Sequence, residues 1–114
     1  MKPFLIMTLL FALTTPAWAA WYEGGSLAGS TIAQWKKAPI QDKVATASSW
    51  ASGTPYISAR LKRWKRPEPY MQHARRLVEC IDFTTSVTQN FDSQPTANFA
   101  KECMESFGWF DRSK

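Results

Sequence analysis

Apolar residues in this chain of 114 recur at helical spacing, and nowhere do they alternate with polar ones over a sustained run. Thr31, with Gln34 three residues on, reads as a capping box that opens a first short helix through Ile32 and Trp35. Ala38-Pro39 ends it, because the residue before a proline is pushed out of the α region. Pro39 suits the first turn of a second helix, whose stripe is Ile40, Val44, Ala47 and Ala51 with Trp50 alongside. Ser52-Gly53 closes that helix, with Gly53 expected in the left-handed position.

The remaining punctuation is again proline and glycine. Thr54-Pro55 opens a third helix with the stripe Ile57, Leu61 and Trp64, and Pro67 stops it. Glu68-Pro69 opens the fourth and longest, carrying Tyr70, Ala74, Leu77 and Ile81. Residues 90–94 form a polar turn, and Pro95 opens a fifth helix with Phe99, Cys103 and Phe107, Ala100 and Met104 lying beside them. Gly108 caps it, and Trp109-Phe110 can fold back as the apolar contact of a Schellman-type end. The segment WYEGGSLAGS ahead of the helices is an irregular lead-in. The pattern predicts an all-α domain of four or five short helices, with Trp35, Trp50 and Trp64 as core anchors.

One apolar run does not belong to this domain. Residues 4–13 (FLIMTLLFAL) follow the basic Lys2, precede the helix-breaking Thr14-Thr15-Pro16, and lead to Ala17-Trp18-Ala19, with small residues at −3 and −1. That is the layout of a secretory signal peptide spanning residues 1–19, and a run of ten is half of what a membrane span needs. The expected mature chain, residues 20–114, is a single exported domain of 95 residues, periplasmic or secreted. Two cysteines, Cys80 and Cys103, fit one disulfide in an oxidising compartment, stapling the last two helices into a hairpin. Closing a separation of 23 residues is worth about 3 kcal/mol, a large share for so small a core.

Charge is divided along the chain. Residues 60–76 hold seven arginines and lysines against Glu68 alone, whereas residues 79–114 hold six acids against Lys101, Arg112 and Lys114. Within RLKRWKRPEP, five cations occupy seven positions. On a helical wheel with Ile57 at 0°, Leu61 and Trp64 form a narrow stripe and the cations cover the rest of the surface. Such a run can be a solvated helix face. Together with Arg75 and Arg76, however, it makes an attractive field for an anionic partner. Export puts most nucleic acid out of reach and disfavours it as a partner, so the expected occupants are an acidic protein partner or self-association, with anionic lipid headgroups as an alternative. The expected contact residues are Arg60, Lys62, Arg63, Lys65, Arg66, Arg75 and Arg76.

Catalytic and metal chemistry find little support in the pattern. His73, the only histidine, precedes Cys80 by seven residues, about 10 Å along a helix, and an oxidised Cys80 is no nucleophile. No CxxC or HxxxH spacing points to a metal, and His73 reads as a surface residue. Glu79 and Asp82 share a helix side, with Arg75 four residues before Glu79 as an ordinary ion-pair partner, and Glu102 and Glu105 read as solvated. The glycines at 24, 25 and 29 form no phosphate loop. A non-enzymatic protein without cofactor or metal is the expectation.

The stretch WYEGGSLAGSTIAQWKKAPIQDKVATASSW, with the later LVECID and AKECMESFGW, resembles a group of small exported bacterial proteins. That group has a WYEGGTLH-like start, a TxxxW helix, an RLATA-like second helix and a late cysteine near a terminal GW. Ser26, Ala28 and the run KVATA depart from its pattern. The resemblance covers most of the mature chain and implies a helical exported domain, and no functional residue is carried over from it. In overall design the chain is also similar to HdeA-type periplasmic acid-stress chaperones, and by layout to immunity proteins against periplasm-directed toxins. Both are small, exported, helical and disulfide-closed, and either likeness would imply action through a protein partner.

Overall fold

The computed structural model describes residues 25–111. The expected signal peptide and the start of the lead-in lie outside the described residues. Five helices follow in order: α1 (Ile32–Lys37), α2 (Ile40–Ser52), α3 (Pro55–Leu61), α4 (Glu68–Ser86) and α5 (Thr96–Ser106). The fold is all-α, as the spacing predicts. The Cys80–Cys103 disulfide joins α4 to α5.

The caps explain several boundaries. Thr31 and Gln34 make the reciprocal capping box: the Thr31 amide donates to Gln34 Oε1 at 2.8 Å, and the Gln34 amide donates to Thr31 Oγ1 at 3.3 Å. Two further orphan amides of this helix end are satisfied from far along the chain, Ile32 donating to the Gln94 carbonyl and Ala33 to that of Asp92, both at 2.9 Å. Lys36 reaches the same turn, 2.8 Å from Asp92 Oδ1. The polar turn before α5 thus serves as the N-terminal cap of α1. At the end of α5, Gly108 adopts φ 80°. Its amide donates to the Glu105 carbonyl at 3.0 Å, and the Trp109 amide donates to Met104 at 3.1 Å, the Schellman pairing. Gly53, by contrast, stays right-handed at φ −82°, because the chain enters α3 directly through the Thr54 cap.

The lead-in is docked onto α2. The Ser26 amide and hydroxyl donate to the two carboxylate oxygens of Asp42 at 2.7 and 2.6 Å, and the Leu27 amide donates to Thr46 Oγ1 at 3.2 Å. A Cβ on Gly25 would lie 2.5 Å from Thr46 N, so only glycine permits this approach.

The core is formed where α4 packs between α2 and α5. Val44, Ala47 and Ala51 meet Ala74, Leu77, Val78 and Ile81, while Phe99, Ala100, Cys103 and Met104 close the other side. Trp35 is fully buried, but Trp50 and Trp64 only partly so; Trp109 folds back from the α5 cap into the core as expected, whereas Phe110 is exposed. Ile40, expected to begin the stripe of α2, is 55 % exposed, because it stands in the first turn at the rim of the contact with α4. Trp35 stacks on Trp50 with ring centroids 5.9 Å apart, and its indole N–H donates to Asp82 Oδ1 at 2.8 Å. Asp82 therefore serves Trp35, and Lys43 at 3.5 Å, and not an acidic surface pair with Glu79. No salt bridge joins Glu79 to the expected Arg75.

Candidate partner-binding surface

The basic stretch is not one helix: Arg60 and Leu61 end α3, and residues 62–67 leave the helix before α4 begins. α3 ends at Leu61, six residues before the proline that was expected to stop it. The amides of Arg63 and Trp64 both donate to the Arg60 carbonyl, at 2.9 and 3.0 Å, tightening the chain into a turn. A continued helix would stack Lys62 on Lys65 and Arg66, and Arg63 on Arg66, at spacings where like charges repel. The turn also carries Trp64 inward, its ring centroid 5.2 Å from that of His73 on α4. The wheel computed from Ile57 consequently fails beyond Leu61, and the cations are presented by a turn.

The seven expected contact residues divide. Lys62, Arg63, Lys65 and Arg66 are all exposed on this turn, and among the described residues their one salt bridge is that of Arg66 with Glu68, at 3.8 Å with both side chains largely in water. A pair at that distance and exposure neutralises little. Arg60 is half-buried, with its guanidinium carbon 3.5 Å from the centroid of the Tyr56 ring and Nη1–H donating to the Tyr56 carbonyl. Arg76 lies 4.0 Å above Phe107. Between these two cations the rings of Tyr56, Trp109 and Phe107 follow one another at 6.4 and 5.0 Å, so Arg60 and Arg76 cap a ladder of aromatic rings. Arg75 faces another surface, lining a cleft with Ile40, Val78, Glu79 and Asp82. The structure thus groups four of the seven and gives Arg60 and Arg76 ring partners.

His73, expected at the surface, is half-buried among Tyr56, Trp64 and Trp109, with ring centroids at 6.0, 5.2 and 5.8 Å. Its Nδ1 lies 2.7 Å from the Pro69 carbonyl, which can only accept, so Nδ1 carries the proton. With both cysteines in the disulfide, neither offers a thiolate for His73 to activate. Among the described residues no cluster of three or more histidine, cysteine, aspartate and glutamate side chains could hold a metal ion. No helix among them is long and apolar enough to cross a membrane.

Beside the basic turn lies a cleft of about 500 Å³ between the C-terminal half of α2, the end of α3 and the first turn of α4. Ser49 and Ser52 line it from α2, Leu61 from α3, Trp64, Arg66 and Pro67 from the turn, and Tyr70 from α4. The periodicity placed Trp64 and Tyr70 in core stripes, and both are half-buried walls of this cleft. The nearest sequence signal was the pair Pro67 and Pro69, which forces a break between two aromatic-bearing segments. No family model matches this chain, and no curated protein or solved structure is significantly similar to it.

Proposed function

We propose that this is an exported, non-enzymatic protein that acts by binding an acidic protein partner through its basic turn. The observation that carries the reading is the exposure of Lys62, Arg63, Lys65 and Arg66 side by side, with the Arg66–Glu68 pair the one salt bridge they make among the described residues. Four cations held on one tight turn between α3 and α4 concentrate positive potential on a small area, which steers an anionic partner and fixes its register. The expected signal peptide and the disulfide are consistent with an oxidising compartment, where an acidic protein is a more available partner than nucleic acid.

The test is the binding of a fluorescein-labelled oligoglutamate peptide, read by anisotropy at low and high salt. The wild type is expected to bind in a salt-sensitive manner, and a variant with Lys62, Arg63, Lys65 and Arg66 changed to glutamine is expected to lose binding at unchanged thermal stability. Equal binding by the two proteins sinks the proposal. Salt-reversible pelleting with phosphatidylglycerol vesicles, without peptide binding, would reassign the turn to a membrane surface. Cell fractionation with N-terminal sequencing tests the export half, the expected first residue being Ala20.

A further inference from the structure

We infer that the cleft beside the basic turn is a side-chain pocket, and that it receives one aromatic or large aliphatic residue embedded in an acidic segment of the partner. This rests on the basic turn being the contact surface, and it adds what the turn alone cannot supply, a choice among acidic segments. Its volume of about 500 Å³ lies within the usual range of ligand pockets, roughly 300–1,000 Å³.

The walls are set in place by contacts outside the cleft. Trp64 packs on His73, and the Tyr70 hydroxyl donates to the Ser48 carbonyl at 2.8 Å. Two aromatic walls held this way lose little freedom when a guest enters. On the α2 side the space stays open because Ser49 and Ser52 are small, and the Ser52 hydroxyl is turned back to the Ser49 carbonyl at 2.9 Å. At the lip stands the exposed Arg66, with Lys62, Arg63 and Lys65 on the same turn. An apolar interior under a cationic rim complements an apolar side chain flanked by carboxylates, and it opposes one flanked by lysines.

The experiment uses three fluorescein-labelled pentapeptides, Glu-Glu-Trp-Glu-Glu, Glu-Glu-Gly-Glu-Glu and Lys-Lys-Trp-Lys-Lys, against the wild type and Ser49→Phe, with Ser52→Phe as a second cleft-filling variant. On the wild type the acidic tryptophan peptide is expected to bind about tenfold tighter than the glycine peptide, the effect of burying one large side chain. Filling the cleft is expected to erase that preference while leaving the salt-dependent binding of both acidic peptides. Equal affinities of the two acidic peptides for the wild type would overturn the pocket and leave the electrostatic reading standing. Failure of both to bind would overturn the two together. Binding of the lysine peptide as tight as that of its acidic counterpart would overturn the acidic partner. Sedimentation of the same samples supplies the last outcome: a dimer in the wild type that Ser49→Phe abolishes would assign the cleft to a second copy of the chain and overturn the proposal.

Discussion

Asp82 offers the sharpest test of how this fold is held together, because two interactions of very different worth meet on one carboxylate. Oδ1 accepts from the indole of Trp35, whose side chain is fully buried, at 2.8 Å, and it pairs with Lys43 at 3.5 Å. The Asp82 side chain is 43 % exposed, so the ion pair is screened and contributes at most about 1 kcal/mol. The indole N–H has no such relief. Asp82→Ala strands a buried donor, at about 1–3 kcal/mol, and loses the ion pair as well, so a total near 2–3 kcal/mol is expected. Asp82→Asn keeps a carbonyl oxygen for the indole and loses only the charge, for about 1 kcal/mol or less. Urea unfolding followed by far-UV circular dichroism reads both values, and a double-mutant cycle with Trp35→Phe isolates the hydrogen bond from the change in volume. The coupling of Asp82 to Trp35 should persist in 0.5 M salt, whereas its coupling to Lys43, measured with Lys43→Met, should be small and fade. Equal damage from Asp82→Ala and Asp82→Asn would refute the reasoning, as would a larger coupling to Lys43 than to Trp35.

Two further predictions concern the last helical hairpin. Replacing Cys80 and Cys103 together by alanine removes a constraint spanning 23 residues and should lower stability by about 3 kcal/mol. A change below 1 kcal/mol in urea titrations, with the slope unaltered, would show that α4 and α5 are held without the bond. Gly108→Ala places a Cβ at φ 80° and should cost about 1–2 kcal/mol. A neutral result in thermal unfolding would mean that the turn relaxes without losing the buried Trp109.

Local patterns were legible where the physics is local. The capping box of α1 joins Thr31 to a residue three positions on, and the glycine cap of α5 sits within one turn, so each could be read directly. The end of α3 could not. The apolar spacing of Ile57, Leu61 and Trp64 continues past Leu61, but repulsion among the cations and the docking of Trp64 on His73, nine residues on, end the helix there. Arg60 and Arg76 were legible as charges, but not as caps on an aromatic ladder, because the rings beneath them come from α3 and from the end of the chain. The cleft escaped for a related reason: the same spacing that marks Trp64 and Tyr70 as core residues cannot say that the serines opposite them leave room.

The sequence by itself determined the all-α class, the order of the helices and the two cysteines available for a staple. Those follow from periodicity and punctuation acting over a few residues. Only the tertiary structure decided which aromatic rings fill the core and which line a cleft, and which four of the seven cations stand together on one turn. The core and the cleft depend on how α4 packs against its neighbouring helices, and the turn on Trp64 docking against His73 of α4, contacts between residues whose separation along the chain encodes nothing about their proximity.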